Sequence, residues 1–414
     1  MDSFPSSIDV AVIGAGAAGI ACARRLREAG VSALMIEARD RVGGRAQTIP
    51  AAGDVIDLGC EWLHSADRNC LVAIARDLGF TVDEGTANWG AHVGGHFSPR
   101  EQKEFHEASR AFWDALERAA QAGGADVAAS HFLPSGGRWN GLIQAISGYY
   151  NGAELESVSI VDLDRYEDTM VNWTIRQGYG AMIAGAAVGL PIVFGCVARR
   201  IDHSGALVKI ETTRGTIDAR AAIVTLPTSL IARGAIEFFP ALPDKIDAAA
   251  HLPLGLADKI FFEVVGASDL PDGHLYGSTG QDAISFDLFP RGRRLVSGFV
   301  GGVFARELEQ AGAVAFEDEA RRQLKHMLGA GALEPLRFLC ATAWDRDPFA
   351  RGGYSHALPG HADARGVLAA PVDGRLFFAG EACSRHRFST AHGAWETGIA
   401  AAEAWLALQP GVEG

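Results

Sequence analysis

Apolar residues follow two different patterns along the chain, and each pattern predicts a different kind of strand. Residues 8–13 form a short apolar run rich in β-branched side chains, which is typical of a buried parallel strand. An alanine-rich helical segment follows and ends at Gly30, and a second apolar run begins at Val31. Buried strands of the same kind are predicted at 221–225 and 376–381. Together these segments predict a parallel sheet covered by helices.

Elsewhere the apolar residues alternate with polar ones, as in strands with one solvent-facing side. Residues 206–212 alternate and pair through a turn with 216–218, and a short strand is predicted before them at 192–197. A second, mixed sheet is predicted from strands at 260–264, 284–288 and 295–300. Helices are predicted at 69–78, from the capping box at Ser98 and Glu101 onward, at 307–328 and at 391–408.

The order of these segments predicts two interleaved domains. A chain of 414 residues is long enough for two cores. The parallel-sheet segments come from both ends and the middle of the chain, so one domain is predicted to comprise 1–66, 177–244 and 346–414. The other is predicted to comprise 67–176 and 245–345.

Composition and charge narrow the class of partner. The chain is 48% hydrophobic and 21% charged, as expected of an ordinary globular protein. Its net charge of −13 argues against nucleic acid or an anionic membrane as a partner. The one long uncharged run, 181–198, contains three glycines and a proline, which disfavours a membrane span. The 6 cysteines are scattered without metal spacing, and the N-terminus lacks a secretion signal, so we expect a cytoplasmic protein.

The first strand leads into a glycine triplet with the spacing of a dinucleotide fingerprint. Gly14 allows a tight turn, Gly16 lets a pyrophosphate approach the backbone, and Gly19 lets the helix pack closely on the strand. Glu37 ends the second strand, where an acidic residue accepts hydrogen bonds from ribose hydroxyls. The alternative for the triplet is a strand-to-helix turn that binds nothing. The complete strand, turn, helix, strand and acid context favours the dinucleotide.

Further motifs, in matching order, extend this interpretation over nearly the whole chain, which resembles the FAD-dependent amine oxidases. That family includes monoamine oxidases, polyamine oxidases and lysine-specific histone demethylases. The motifs are Gly14–Gly19, Glu37–Arg45, Asp57–Gly59 with Trp62 and His64, Gln177–Gly180, Val224–Pro227, Leu254 and Gly255 with Lys259, Trp344–Tyr354, and Phe378–Glu381 with Thr390–Ala394.

The resemblance implies an α/β fold. We expect a Rossmann-like FAD-binding domain of the p-hydroxybenzoate-hydroxylase and glutathione-reductase type, interleaved with an α+β substrate-binding domain of mixed sheet and helices. The first set of segments above would form the FAD-binding domain, and the second set would form the substrate-binding domain. Related flavoproteins commonly interrupt the nucleotide-binding domain with a hairpin like the one predicted at 206–218.

The same resemblance implies the residues that bind FAD. Glu37 would bind the adenosine ribose, the Arg41–Arg45 segment would wrap the pyrophosphate and flavin, and the backbone of Val197 would meet the adenine. Glu381 would reach the ribityl chain, and the turn at Thr390 and Ala391 would offer an N–H group to the flavin. A helix N-terminus there would stabilise the negative charge of reduced flavin. The complete implied set is Gly14, Gly16, Ala18, Gly19, Glu37, Ala38, Arg39, Gly44, Arg45, Trp62, Val197, Gly380, Glu381, Thr390 and Ala391.

The resemblance also implies a set of residues beside the flavin. Lys259 resembles the family lysine that holds a water against flavin N5. A lysine at a strand end, taken alone, would extend into solvent, but the matching motifs around Lys259 favour the functional interpretation. Tyr354 matches one member of an aromatic pair, whereas Thr390 stands where the second would be, so the cage is incomplete. Trp344 is expected to line the same cavity. Gly353 stands where some relatives carry a flavin-linked cysteine, which predicts non-covalent FAD; Cys383 is not at the attachment position.

His64 and Glu61 each allow two interpretations, and one pair of histidines is considered as a metal site. His64 matches a histidine of animal polyamine oxidases, or it caps its loop through backbone bonds. Glu61 either recognises a distal ammonium group or pairs with an arginine. His92 and His96 are separated by glycines with no supporting ligands, so no metal site is expected.

These residues predict oxidation of an amine by hydride transfer to FAD N5. The imine would hydrolyse to an aldehyde or ketone plus an amine or ammonia, and O2 would become H2O2. A polyamine-type or other flexible amine is the first substrate hypothesis, from His64, Thr390 and the net acidity, and a primary monoamine is the second. An L-amino-acid oxidase is disfavoured because no arginine is evident for the substrate carboxylate. A desaturase-type FAD oxidoreductase, an acceptor other than O2 and a non-catalytic FAD-binding interaction protein remain alternatives, and a homodimer is compatible with the sequence.

Overall fold

The computed structural model describes residues 8–85, 89 and 97–409. The elements of the first half are β1 Ile8–Ile13, α1 Ala17–Glu28, β2 Ala33–Ile36, β3 Thr48–Ala51, β4 Asp54–Asp57, β5 Trp62–Leu63, α2 Cys70–Asp77, β6 Val82–Asp83, α3 Pro99–Gln121, α4 Asn140–Asn151, α5 Ile160–Arg165, β7 Trp173–Ile175, α6 Tyr179–Ala186, β8 Ile192–Val193 and β9 Ala198–Asp202. Those of the second half are β10 Val208–Thr212, β11 Gly215–Val224, α7 Thr228–Ala232, β12 Glu237–Phe239, α8 Pro243–Ala250, β13 Ala257–Val264, β14 Gly273–Tyr276, β15 Ser285–Leu288, β16 Leu295–Gly301, α9 Gly302–Ala311, α10 Ala313–Leu328, β17 Leu336–Ala341, α11 Ala364–Ala369, β18 Leu376–Phe378 and α12 Ala391–Leu406.

β1 lies inside an eight-stranded sheet in the order β12-β9-β10-β11-β1-β2-β8, with β18 also paired to β11. β1 is parallel to both β2 and β11. Val10 and Val12 pack into one apolar cluster with α1 and α12, whereas Ala11 and Ile13 pack into another with α7, α8 and α11. Both faces of the strand are therefore covered, which explains why its sequence is an almost continuous apolar run.

β11 is one strand where the sequence predicted two. Its first half pairs antiparallel with β10, from Gly215 to Ala219, and its second half pairs parallel with β18, from Ala222 to Val224. The predicted hairpin partner and the predicted buried strand are thus consecutive parts of the same ten-residue strand. The change from alternating to continuous apolar residues marks the change of neighbour, because only the second half is covered on both faces.

The second sheet has five strands in the order β14-β15-β16-β13-β17, and all of its pairs are antiparallel. On β13, Ile260 and Phe262 pack into the largest apolar cluster together with residues of α3, α4 and α10. Lys259 and Phe261 point to the opposite face, where Lys259 lies across from Phe299 of β16. One face therefore packs on the largest cluster, and the other carries Lys259 and Phe299 beside a smaller apolar cluster that contains Phe261 and Leu295.

The structure corrects several predicted elements. The second sheet contains β14 and β17 in addition to the three predicted strands. The helix predicted at 307–328 is two helices, because Gly312 adopts a φ of +96° that ends α9. The strand predicted at 192–197 stops at Val193, since Gly195 turns the chain at a φ of +58° before β9 begins. The α/β architecture with two large sheets is confirmed, and two small sheets, β3-β4 and β5-β7-β6, accompany them. The exact domain boundaries stay a prediction.

Two of the helices that cover the eight-stranded sheet, α1 and α12, pack closely against each other. A Cβ atom at Gly398 of α12 would lie 2.1 Å from the Ala18 carbonyl oxygen of α1, so the two backbones touch only because that residue is glycine. This contact joins the last long helix of the chain to the first. Within the described ranges, no helix is both long and apolar enough to cross a membrane.

Candidate active site

The N-terminus of α1 is a backbone surface suited to phosphate. Gly14 has a φ of +107°, and a Cβ atom at Gly19 would lie 2.0 Å from the Gly14 carbonyl oxygen. Gly16 precedes the helix without any side-chain cap and bridges to Gly43 of the following loop. The first-turn N–H groups, including that of Ala18, are therefore left for an anionic ligand. These features fit the diphosphate of the predicted dinucleotide.

Glu37 lies beside this helix at the end of β2 and is buried. Its Oε2 accepts a hydrogen bond from the Ala15 N–H at 2.8 Å, and its Oε1 accepts one from the Arg39 N–H at 2.9 Å. Each carboxylate oxygen keeps a further lone pair for a ribose hydroxyl. The Arg39 guanidinium donates to Asp347 at 2.7 Å, so this side chain stabilises the local loops, and direct contact of Arg39 or Ala38 with FAD stays a prediction.

Glu381 is the centre of a second polar group at the carboxyl ends of β11 and β18. Its Oε1 accepts a hydrogen bond from Arg45 at 2.9 Å, and its Oε2 accepts from the Ser355 hydroxyl at 2.6 Å and the Ser389 N–H at 3.0 Å. Burial raises the pKa of this carboxyl, but Arg45 and Ser355 outweigh it and hold the pKa below its usual range. A small cavity lined by Arg45, Gly380 and Glu381 adjoins them.

Lys259 reaches from the second sheet to the segment that follows β4. Its Nζ donates hydrogen bonds to the carbonyl oxygens of Asp57 at 3.1 Å and Gly59 at 3.0 Å. The indole Nε1 of Trp344 donates to the Leu58 carbonyl at 3.2 Å on the same segment. The alternative of a lysine extended into solvent is therefore wrong. Two predicted residues from distant parts of the chain meet at one turn, and the role of Lys259 at flavin N5 stays a prediction.

Tyr354 stands next to the same region through Gly353, whose carbonyl accepts a hydrogen bond from Arg45 at 2.7 Å. The Tyr354 hydroxyl donates to the Tyr149 carbonyl, and burial raises its pKa well above the ordinary value. The Tyr149 ring lies 6.0 Å from the Phe299 ring, on the face of the second sheet that carries Lys259. Through the Tyr149 backbone carbonyl, Tyr354 is therefore connected to the ring pair of Tyr149 and Phe299, and Phe299 lies across from Lys259.

His64 makes a side-chain contact that sequence reasoning did not predict. Its Nδ1 lies 2.7 Å from the Asn172 Oδ1, and Asn172 in turn donates to the Met170 carbonyl. Burial lowers the pKa of His64, which favours a neutral imidazole that donates from Nδ1 and presents Nε2 as an acceptor. The predicted alternative of a histidine side chain bonded to backbone groups is not the contact found. Its role toward substrate stays a prediction.

Thr390 caps α12 rather than presenting a free hydroxyl. The Thr390 Oγ1 accepts a hydrogen bond from the Gly393 N–H at 3.0 Å and donates to the Arg387 carbonyl at 2.6 Å. Ala391 is the first residue of the helix, so its N–H belongs to the unpaired first turn, as the predicted flavin contact requires. The hydroxyl is committed to the cap, and a substrate role for Thr390 stays a prediction.

Two predicted cofactor residues are occupied differently from expectation. The Val197 N–H donates to the Thr213 hydroxyl at 3.0 Å and its carbonyl accepts from the Thr213 N–H, so its backbone donor is already used. The Trp62 ring lies under the Arg291 guanidinium at 5.3 Å and against Trp89 at 4.7 Å. For both residues, contact with FAD stays a prediction.

Sequence reasoning missed two buried carboxylate groups near the site. Asp162 of α5 forms a two-bond ion pair with Arg365 of α11, at 2.7 Å for each bond. Asp258, next to Lys259 in β13, accepts from the Trp344 N–H and faces the buried Glu309 of α9. The only signal in the sequence is a charged residue inside an otherwise apolar segment, which identifies burial but not the partner.

The described residues contain no group of His, Cys, Asp or Glu side chains arranged to hold a metal ion. His92 and His96, the pair for which metal binding was disfavoured, lie outside the described residues. The cluster of Arg45, Glu381, Lys259 and Trp344 therefore offers charge, hydrogen-bond donors and an aromatic surface around a backbone turn. Such a cluster can bind and orient an organic cofactor and substrate.

Comparison with known proteins shows which family the chain resembles. A family model described as flavin containing amine oxidoreductase matches residues 17–406. Polyamine oxidase 4 of Oryza sativa subsp. japonica is 29% identical over 447 residues, covering 95% of this chain and 88% of that protein. Lysine-specific histone demethylase 1 homolog 3 of the same plant is 28% identical, covering 94% of this chain but 53% of its own length. Wild-type putrescine oxidase bound to putrescine has the same fold, with a TM-score of 0.79 at 20% identity over 97% of this chain and 99% of that one.

Proposed function

Because the chain belongs to the flavin containing amine oxidoreductase family, we propose that it oxidises a polyamine-type or other flexible amine with FAD and O2. The observation that supports this most is the meeting of Lys259 and Trp344 on the segment 57–59. That segment also joins the cofactor side, because the Cys60 N–H donates to the Arg45 carbonyl and Arg45 pairs with Glu381. This arrangement supports the proposal, because the residues that would hold the cofactor and those that would face the substrate are linked through the same segment.

FAD, when bound, would accept a hydride equivalent from the amine at N5 and pass the electrons to O2, giving an imine and H2O2. The protein would supply position and charge. The first turn of α1 would hold the diphosphate, Glu37 would hold the ribose, and the N-terminus of α12 would stabilise negative charge on the pyrimidine edge. Lys259 would place one positive charge at the reacting face, and the Tyr354 and Trp344 rings would orient the amine.

The substrate class is proposed from the relatives and from this chain's own residues. A polyamine oxidase lies among the similar proteins and putrescine oxidase among the similar folds. The net charge of −13 and the neutral His64 suit a flexible amine. A primary monoamine is the second candidate, because the aromatic residues Tyr149, Phe299 and Tyr354 do not require a second ammonium group in the substrate.

We propose that FAD is bound non-covalently. Gly353 has no side chain, and its backbone is bonded to Arg45 and to the Gly255 carbonyl. Cys383 follows Glu381 by two residues, and burial raises the pKa of its thiol to about 12, so the nucleophilic thiolate is not formed at neutral pH. Acid precipitation should therefore release all of the flavin into the supernatant. Yellow colour retained in the pellet would contradict the proposal.

A substrate panel tests the function. Purified protein with FAD should release H2O2 with one or more diamines or polyamines, and anaerobic addition of the same amine should bleach the flavin absorbance. Lys259→Met should retain FAD and slow turnover by roughly 10²-fold, whereas Lys325→Met on the exposed side of α10 should match the wild type. If the FAD-loaded protein releases no H2O2 with diamines, polyamines, monoamines or amino acids, and none of them bleaches the flavin, it is not an amine oxidase. That result would favour the desaturase-type or non-catalytic alternative.

We also propose a reducing compartment such as the cytoplasm. All 6 cysteines are free, and burial raises the pKa of several of them, including Cys22 and Cys70. Scattered buried thiols of this kind are typical of proteins that never meet an oxidising environment. Fractionation of the producing cells, with immunodetection of the protein, would check this assignment. Recovery in a secreted fraction would contradict it.

A further inference from the structure

The ammonium group of Lys259 has every one of its protons engaged by the protein. A lysine ammonium carries three N–H donors. Two are used by the Asp57 and Gly59 carbonyls, and the third goes to the Glu61 Oε2 at 2.8 Å. Among the acceptors that bind the Lys259 ammonium group in the described structure, Glu61 is the one that belongs to a charged side chain. It is therefore the partner whose loss would change both the charge and the direction of the ammonium group.

Glu61 is itself held from its other side. Its Oε1 accepts a hydrogen bond from the Arg291 Nη2 at 2.9 Å, and the Arg291 guanidinium lies over the Trp62 ring. Burial raises the pKa of Glu61, but the two cations outweigh it and hold the pKa far below the usual range. The carboxylate is therefore ionised at neutral pH, and its two oxygens are divided between two cations.

The other charged groups around Lys259 have different partners. The Asp57 carboxylate accepts from the Tyr179 and Gly180 N–H groups, and the Arg293 guanidinium donates to the Val55 carbonyl. Asp287 stands on the same sheet face, where burial and the Glu61 charge raise its pKa to about 7. Since none of these donates to or accepts from Nζ, Glu61 is the group in contact with the lysine.

We propose that Glu61 is a positioning residue for Lys259 and that Arg291 keeps Glu61 in place. The inference rests on the proposed function, because it assumes that Lys259 acts at the reacting face. Since its three N–H groups are all engaged, Lys259 would act there through its charge and not by donating to a water. The carboxylate would fix the direction of the ammonium group and hold its charge at one point. Without it, only two neutral carbonyls would remain, one proton would be unpaired, and the side chain could rotate. Arg291 would act one step further away, through Glu61 alone.

Chemical labelling tests the geometry without any turnover. Reductive methylation followed by peptide mass spectrometry should modify Lys259 slowly in the wild type, with the exposed Lys103 as internal reference. In Glu61→Gln the rate at Lys259 should rise by about tenfold, the scale of one lost charge-assisted hydrogen bond. Glu263→Gln is the matched control, because Glu263 is on the same strand face but pairs with Arg337. Equal labelling in all three proteins would overturn the proposal.

Kinetics test the consequence on the holoenzyme. Glu61→Gln should keep FAD and its melting temperature but lower kcat by roughly 10- to 100-fold, with KM changed less than kcat. Arg291→Met should act in the same direction with a smaller effect, and Glu61→Asp should recover part of the rate. The double variant Lys259→Met/Glu61→Gln should be no slower than Lys259→Met alone, since one residue would act through the other.

The outcomes separate this inference from the function on which it rests. Multiplying single-variant effects in the double variant, or a wild-type kcat for Glu61→Gln, would overturn the positioning role. A wild-type protein that oxidises no amine would instead overturn the proposed function. In that case faster labelling of Lys259 in Glu61→Gln would still establish the contact with Glu61 and leave only its purpose without support.

Discussion

The molecule contains two clusters of charged side chains, and the clusters differ in how exposed their side chains are to water. In the first, which we call the sealed network, Arg365 and Asp162 have side chains that are 1% and 2% exposed, and Arg365 also donates to Ser355, which bonds Glu381. In the second, the open network of Lys259, Glu61 and Arg291, the side chains are 12% to 21% exposed. Both pair a carboxylate with an arginine or lysine, but the energetic result of breaking them should differ.

The difference follows from desolvation. A buried ion pair returns the cost of leaving water only while both partners are present, so loss of one partner leaves an uncompensated charge. A partly exposed group can still be hydrated by water that enters the gap. The sealed network joins α5 to α11 and to the segment before α11, which lie far from α5 in the sequence. It should therefore maintain the fold, whereas the open network can tune a reactive group without threatening it.

The largest effect is expected at Arg365. Arg365→Met should lower the free energy of unfolding by about 3–5 kcal/mol, because Asp162 is left as a buried unpaired charge. Urea denaturation followed by circular dichroism measures it. Arg322→Met is the control, since its pair with Glu319 is exposed and should be worth about 0.2–1 kcal/mol. Equal losses in the two variants would break the contrast between sealed and open pairs.

A second test concerns burial of an acid that lacks a cation. Burial, with the facing Glu309 carboxylate, raises the pKa of Asp258 from 3.8 to about 7. The folded state therefore binds the proton more tightly than the unfolded state, and this contribution to stability is complete below about pH 4 and lost as the pH rises to about 7. Asp258→Asn cannot ionise, so it should gain on the wild type by about 2 kcal/mol between pH 5 and 7.

Thermal unfolding of both proteins across this pH range checks the sign. Glu317→Gln, an acid on the surface of α10, serves as the control and should show no such relative gain. A constant difference between Asp258→Asn and the wild type would mean that Asp258 titrates normally. The result sharpens the contrast, because it separates the cost of burying a carboxyl from the cost of removing its cation.

The smallest effect is expected at a neutral buried group. Thr390 is 7% exposed, and its hydroxyl caps α12. Thr390→Ala should lower the free energy of unfolding by about 1 kcal/mol, the usual value of an N-cap, and Thr390→Ser should restore most of it. A loss as large as that of Arg365→Met would show that burial alone, and not charge, sets the scale. Amine turnover of the Ser variant would also test the predicted substrate role.

Local features of the site were predictable from the sequence because their causes are local. The turn at Gly14 and the close helix contact at Gly19 follow from backbone sterics, and the capping box at Ser98 follows from four consecutive residues. The break at Gly312 could have been read in the same way, since a glycine inside a helical pattern is a common helix end. This glycine lies inside the helix predicted at 307–328, so the prediction of one continuous helix was wrong.

The remaining contacts required the tertiary structure. The sequence by itself determined the parallel sheet, the glycine turn and the motifs that identify the family, because each depends on neighbouring residues. Only the folded chain showed that Glu61 divides its oxygens between Lys259 and Arg291, and that Arg365 meets Asp162. Ion pairs between distant segments depend on how whole elements pack. The sequence does not show which arginine pairs with which carboxylate, because that choice is made when the two side chains are buried together.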